Sequence, residues 1–222
     1  MAEFINIHTH KTDSSSINIF NIKYNEKIDY KLCSFGLHPW DIDKYNVNNY
    51  LNKLNNLCKN NKIAAVGEIG IDRVINTSID IQKDIYIKQV AIAEKYNLPV
   101  IIHCVKAYSD FFEILKKHTP KTPMIFHGYS SNLQTAKKLI EKKCFLSFGQ
   151  QLLTNKKLQE VFKQITVNNI FFETDNSIEK IENIYKKAAE IYQINIDNLK
   201  TQIFSNFANI FKSDLLFKYN AK

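Results

Sequence analysis

The fold prediction starts from the segment Leu98-Pro99-Val100-Ile101-Ile102-His103. Its three apolar residues after a proline form a short continuous run, which is typical of a strand buried on both faces of a parallel sheet. Seven other short apolar runs resemble it, at residues 4–7, 17–22, 32–37, 63–66, 124–126, 144–148 and 170–172. The sequence therefore predicts eight strands.

Amphipathic helical segments separate most of these runs, since apolar residues recur there every three or four positions. Leu51, Leu54 and Cys58 mark one such stripe. Alternation of strands and helices predicts an α/β protein, and eight strands predict a (β/α)8 TIM-type barrel near the small end of its usual size range. A doubly wound open sheet is the alternative, but no glycine-rich phosphate loop follows the first strand. Without a visible linker or internal repeat, residues 1–222 are predicted to form one domain.

Composition limits the functional classes. The chain of 222 residues carries 30 Lys and Arg against 22 Asp and Glu, a net charge of +8. This charge favours a polyanionic partner such as nucleic acid, although dispersed lysines are also ordinary surface residues. Neither a membrane-spanning apolar run nor a secretory leader is visible, and the four cysteines form no CxxC pair. We therefore expect a cytoplasmic protein without membrane attachment.

Six polar residues follow or end predicted strands, and they are the candidate metal ligands. A barrel brings the carboxyl ends of its strands to one mouth, where the active site lies. Imidazole and carboxylate groups suit Zn²⁺, Mn²⁺ or Fe²⁺, with Mg²⁺ possible at the carboxylates. The set is large enough for two divalent ions bridged by the two oxygens of Glu68, and it comprises His8, His10, Glu68, His103, His127 and Asp175. Such a centre hydrolyses a phosphodiester, another phosphoester or an amide.

These residues lie in motifs that resemble the TatD family of metal-dependent deoxyribonucleases. The matching blocks are FINIHTH at 4–10, GLHPW at 36–40, GEIGIDR at 67–73, LPVIIH at 98–103, FHGYS at 126–130, ETD at 173–175 and NFANIF at 206–211. The resemblance implies a TIM-type barrel and cleavage of DNA, often as a 3′-to-5′ exonuclease. It makes the six residues metal ligands, with Glu68 and Asp175 catalytic, and Asp175 would orient or deprotonate the attacking water.

Substrate contacts are predicted for His38, Lys106 and Arg73. The sequence departs from the family pattern at Asn6, where Asp is usual, and at Val105, where a phosphate-binding Arg is common. Lys106 reaches the substrate only if the chain turns after the strand. Two aromatic residues near the mouth, Trp40 and Tyr129, either stack on bases or pack at the rim.

The leading interpretation is a monomeric deoxyribonuclease that uses a two-metal-activated water. One alternative keeps the metal centre and hydrolyses a small ester, phosphoester or amide, since fold alone does not fix the substrate. The other is a non-catalytic relative that binds nucleic acid.

Overall fold

The computed structural model describes residues 3–11, 14–30 and 32–211. Eight strands follow one another along the chain, and helices follow most of them. The strands are β1 (Phe4–Thr9), β2 (Ser16–Asn21), β3 (Cys33–Phe35), β4 (Ala65–Asp72), β5 (Val100–Val105), β6 (Met124–Phe126), β7 (Phe145–Phe148) and β8 (Ile170–Phe172). The helices are α1 (Val47–Lys59), α2 (Ile79–Lys95), α3 (Tyr108–Lys117), α4 (Leu133–Glu141), α5 (Gln151–Thr154), α6 (Lys156–Phe162), α7 (Ile181–Tyr192) and α8 (Ile196–Ile210). Short 3₁₀ turns cover Pro39–Asp41 and Val167–Asn169.

The sheet has the order β1-β2-β3-β4-β5-β6-β7-β8, so each strand neighbours the next one in the chain. The pairs β1–β2, β3–β4, β4–β5, β5–β6 and β7–β8 are parallel. A parallel bridge from Thr9 to Asp175 also joins β1 to the segment after β8. Parallel strands alternating with helices in this order confirm the predicted (β/α)8 TIM-type fold.

The described residues group into two compact units. The first comprises the described residues within 3–20 and 127–211, and the second comprises those within 21–126. In the second unit all eight residues of β4 are buried, as expected for a strand covered on both faces. In the first unit β1 is buried from Ile5 to Thr9. That residues 1–222 form a single domain stays a prediction.

Asparagine side chains begin four of the helices. Asn46, Asn132, Asn155 and Asn195 each accept a hydrogen bond from a backbone N–H of the first helical turn, at α1, α4, α6 and α8. An asparagine at this position satisfies a donor that the helix leaves without a partner. The abundant asparagine of the sequence thus fixes where several helices begin.

The predicted strands all appear, but three continue further than expected. β1 continues to Thr9 and β4 to Asp72, so His8 and Glu68 lie within strands rather than after them. β5 continues to Val105, so His103 lies inside this strand rather than at its end. In β4 the pairing register with β5 shifts between Val66 and Ile69, and an irregularity of this kind redirects side chains without ending the strand. Among residues 3–11, 14–30 and 32–211, no helix combines the length and apolar character required to cross a lipid bilayer.

Candidate metal centre

The first unit holds a cluster of two histidines and a carboxylate, named here cluster 1 (His8, His10 and Asp175). The Nε2 atoms of His8 and His10 each lie 3.5 Å from Oδ1 of Asp175. His8 is fully buried, whereas the side chain of Asp175 is 42% exposed. One potential ligand atom from each residue therefore surrounds a common point that solvent reaches.

The backbone around cluster 1 is held by contacts between β1 and the segment after β8. His10 N–H donates to the carbonyl of Asp175, and Asp175 N–H donates to the carbonyl of His8. Asp175 has φ of 49°, a left-handed conformation that turns the chain directly at the site. Asn6 reinforces the link, because its Nδ2 donates to Thr174 Oγ1 at 2.8 Å and its Oδ1 accepts from Thr174 N–H at 3.0 Å.

His127 lies beside cluster 1, with its ring centroid 4.6 Å from that of His8. Its Nδ1 faces Glu173 Oε1 at 3.2 Å, and the same oxygen accepts from Gly128 N–H at 2.8 Å. Glu173 is 1% exposed. A carboxylate that accepts from one imidazole nitrogen fixes the ring and directs the other nitrogen outward as a potential ligand. Glu173 is thus a positioning residue for His127.

The second unit holds another such group, named cluster 2 (His38, Glu68 and His103). Glu68 Oε1 lies 2.6 Å from His103 Nδ1 and 3.2 Å from His38 Nε2. Glu68 is 5% exposed, and its backbone N–H donates to Asn21 Oδ1 at 2.9 Å. Cluster 2 is therefore nearly buried and has a fixed backbone.

Asp72 extends cluster 2 on the far side of His103, whose Nε2 lies 3.2 Å from Asp72 Oδ2. Trp40 Nε1 donates to the same oxygen at 2.7 Å, and Val74 N–H donates to Oδ1 at 2.8 Å. Burial raises the pKa of Asp72, but the hydrogen bonds from Trp40, Val74 and His103 outweigh it and hold the pKa below its usual range. Asp72 is therefore ionised at neutral pH.

The hydrogen bonds of His38 define which of its nitrogens carries a proton. Its Nδ1 accepts from Trp40 N–H at 3.1 Å, as the cap of the turn Pro39–Asp41. Burial lowers the pKa of His38 despite the nearby Glu68 carboxylate, so the ring is neutral at pH 7. A neutral ring that accepts at Nδ1 carries its proton on Nε2, which makes Nε2 a donor and not a metal ligand.

Two of the predicted substrate contacts lie just after strands of the second unit. Arg73 follows β4, and its Nε and Nη2 donate to Asp110 at 2.7 and 2.8 Å. Lys83 Nζ lies 2.6 Å from the same carboxylate, while 43% of the Arg73 side chain remains exposed. Lys106 follows β5, is exposed, and has φ of 53°, so the chain does turn there.

Both clusters contain donors that suit a divalent cation, namely all three residues of cluster 1 and Glu68 with His103 of cluster 2. Zinc bonds of about 2.1 Å in tetrahedral geometry place two ligands about 3.4 Å apart, close to the 3.5 Å separations of cluster 1. In cluster 2, both nitrogens of the His103 imidazole face carboxylates, Nδ1 towards Glu68 and Nε2 towards Asp72. Imidazole and carboxylate groups are ligands that suit a divalent cation.

A pocket of about 240 Å³ borders Asp175 in the first unit. It is lined by residues 128–129, 149–151 and 173–177. Ser177 Oγ donates to Gln150 Oε1 at 2.7 Å across its wall. Tyr129 is 1% exposed and its ring packs against Phe148, so of its two predicted roles it takes packing. The half-exposed carboxylate of Asp175 therefore lines a cavity.

A family model described as TatD-related DNase matches residues 2–212. The chain belongs to this family. The metal-dependent hydrolase YabD of Bacillus subtilis is 27% identical over 205 residues, which cover 84% of this chain and 80% of YabD. A putative deoxyribonuclease TATDN1 homolog of Vairimorpha ceranae is 31% identical over 195 residues, 84% of this chain and 70% of that protein.

Among solved structures, the TatD homolog YjjV of Escherichia coli superposes with a TM-score of 0.83 at 21% identity, covering 94% of this chain and 97% of YjjV. This likeness supports the TIM-type fold. Family membership and the two clusters make the protein a TatD-family metal-dependent hydrolase that uses divalent metal. The number of ions, the monomeric state and the cytoplasmic location stay predictions.

Sequence reasoning chose Asp175 as the ligand after the eighth strand and assigned no role to Asp72 or Glu173. A usable signal existed for Asp72, because alternate residues of a strand share a face. Glu68, Gly70 and Asp72 follow this period of two along β4. No comparable signal marks Glu173, whose role depends on the position of His127 at the end of a distant strand.

Proposed function

We propose that this TatD-family hydrolase cleaves phosphodiester bonds of DNA and that two divalent ions serve the reaction. The observation that carries the proposal is the pair of clusters, each built from histidines and a carboxylate within 4.8 Å. The net charge of +8 favours a polyanionic substrate. The deoxyribonuclease name of the Vairimorpha relative, at 31% identity, supports DNA.

In this proposal His8, His10 and Asp175 would hold one ion, and Glu68 and His103 would hold the other. His127, directed by Glu173, would be a further ligand. Bound divalent ions lower the pKa of a water and stabilise charge on the oxygens of a phosphate. Asp175 orients the attacking water and accepts its proton at a carboxylate oxygen, a role that suits its 42% exposure.

The remaining predicted residues bind the substrate. His38 donates from Nε2 to a phosphate oxygen, because its Nδ1 is already an acceptor. Arg73 and Lys106 attract the phosphate backbone, and Asp110 holds the Arg73 guanidinium in place. Asp110 uses two of the donors of Arg73, and the exposed part of the side chain is available to a phosphate.

The test uses a single-stranded oligonucleotide incubated with the protein and Mg²⁺ or Mn²⁺, with EDTA as the metal-free control. One sample carries a 5′ label and the other a 3′ label. A 3′-to-5′ exonuclease shortens the 5′-labelled strand progressively and releases labelled mononucleotide from the 3′-labelled strand at once. Metal content is measured in the same preparation, and two equivalents per chain are expected.

Histidine variants provide matched comparisons. His103→Ala and His127→Ala each remove an imidazole from the proposed centre, and activity is expected to fall by more than the about 10- to 100-fold that loss of an outer metal partner costs. His118→Ala removes an imidazole at the C-terminal end of α3 whose Nε2 lies 3.0 Å from Glu94 Oε1, so full activity is expected. Intact DNA in a metal-loaded sample would refute the proposal, and cleavage of a p-nitrophenyl ester would then support the small-molecule alternative.

A further inference from the structure

The single tryptophan of the chain is exposed beside cluster 2. Trp40 has 58% of its surface exposed, although tryptophan is usually well buried in folded proteins. An exposed indole beside the proposed metal centre is a candidate contact for a ligand, because tryptophan combines a large apolar ring with a polar N–H and is enriched at binding surfaces.

The exposed indole is held in one orientation. The indole Nε1 of Trp40 donates to Asp72 Oδ2 at 2.7 Å. The backbone N–H of the same residue donates to His38 Nδ1 at 3.1 Å. Asp72 is itself fixed, because its N–H donates to Gln82 Oε1 at 2.8 Å and its Oδ1 accepts from Val74 N–H. Stacking of a ligand on this ring therefore causes little further loss of side-chain conformational entropy, because folding has already fixed the ring.

The indole ring of Trp40 lies close to both histidines of cluster 2. Its centroid lies 5.0 Å from that of His38 and 6.0 Å from that of His103, with interplanar angles of 83° and 75°. Both histidines meet the indole at steep angles, so neither stacks on it face to face. A group stacked on the ring lies next to the residues that are proposed to bind the phosphate and the metal.

We propose that Trp40 is the stacking platform for a nucleobase of the substrate, next to cluster 2. This inference rests on the proposed function and adds the part of the substrate that the second unit recognises. Aromatic rings accept any base, because every base has a π-face, so the platform supports binding without selecting a sequence. Removal of one stacked base is expected to weaken binding by about 5- to 150-fold.

The test exploits the fact that all tryptophan fluorescence comes from Trp40. An octamer of deoxythymidine is titrated into the protein in EDTA, which keeps the strand intact, and again in Ca²⁺. A matched octamer has abasic sugars in place of its two 3′-terminal nucleosides. We expect saturable quenching by the first strand, and weaker binding with less quenching by the second.

Variants separate stacking from packing. Trp40→Phe keeps a ring, and we expect it to bind within about threefold of the parent, whereas Trp40→Leu keeps apolar volume without a π-face. Binding by the variants is measured by anisotropy of a labelled strand. For Trp40→Leu the abasic and normal strands should bind equally well. Ile87→Ala, which removes another exposed apolar side chain from α2, should retain the full preference for bases.

The outcomes distinguish this inference from the proposed function. Cleavage of DNA with equal binding of abasic and normal strands by the parent would overturn the platform and leave the nuclease proposal intact. Base-dependent quenching without any cleavage would support the platform and refute the nuclease. If Trp40→Leu does not fold, the abasic comparison on the parent and on Trp40→Phe still decides the question.

Discussion

Gly70 is expected to be irreplaceable, because the backbone that carries His103 occupies the space of any side chain at this position. The two residues are register partners on β4 and β5. A Cβ built on Gly70 lies 1.9 Å from the carbonyl oxygen of His103, 2.8 Å from its carbonyl carbon and 3.0 Å from its nitrogen. Ordinary contacts begin at 3.4 Å, so Gly70→Ala must separate the groups by about 1.5 Å.

The expected loss of stability depends on which atoms the new side chain meets. Overpacking of a protein interior costs about 1–3 kcal/mol, and the upper end applies here because a paired backbone must move, not a flexible side chain. The same movement displaces His103 from Glu68 and Asp72. A misplacement of 1 Å costs about 100-fold in rate. We therefore expect Gly70→Ala to lose about 3 kcal/mol in the free energy of unfolding and about 100-fold in kcat/KM.

Urea unfolding followed by circular dichroism measures the first quantity, and cleavage of the labelled strand measures the second. Gly149→Ala is the matched control, because its Cβ meets its nearest neighbours, Cγ and the carbonyl oxygen of Glu173, at an ordinary 3.6 Å. It should change the free energy of unfolding by less than about 1 kcal/mol. Equal stability and equal activity of the two variants would refute the steric argument.

Two other substitutions test the polar contacts. Asn6→Asp should lower the free energy of unfolding by about 1–3 kcal/mol in urea titrations, because it loses the hydrogen bond donated to Thr174 Oγ1 and faces Asn18 Oδ1 with a carboxylate; an unchanged midpoint would contradict this. Asp110→Asn should lower the free energy of unfolding by about 2 kcal/mol at pH 7, because Arg73 holds the pKa of Asp110 below its unfolded value of about 3.9. That contribution to stability is complete above about pH 5 and is lost as the pH falls through the lowered pKa. The difference in free energy of unfolding between the parent and Asp110→Asn should therefore become smaller from pH 7 to pH 3. A difference that stays constant over this range would contradict the prediction.

The fold was predictable because the strands are short, continuous apolar runs. A strand covered on both faces cannot alternate polar and apolar residues, so its sequence stands out between amphipathic helices. All eight strands occur where these runs lie. Their ends were harder to predict, because β4 continues through two glycines and a glutamate that resemble a loop in the sequence. The pairing of Gly70 with His103, which is invisible in the sequence, keeps this segment in the sheet.

The histidines of the two clusters were predictable from the same regularity, since each lies in a predicted strand or within three residues of its end. The partners that orient them were not. His103 meets Asp72 through the pairing of β4 with β5, and His127 meets Glu173 from 46 positions along the chain. A partner of this kind depends on the register between strands, which a pattern of hydrophobicity along one strand does not encode.

The contrast between His38 and His103 shows why ligand assignment needs hydrogen bonds as well as distances. Both imidazoles approach the same Glu68 oxygen, and distance alone places both among candidate ligands. Yet His38 already accepts a proton donor at Nδ1, while both nitrogens of His103 face carboxylates. The neutral His38 ring can therefore offer the site only a hydrogen-bond donor, at Nε2. A neutral His103 ring has a lone pair that a cation can use. In the proposed function, Glu68 therefore lies between His38 as a contact to the phosphate and His103 as a metal ligand.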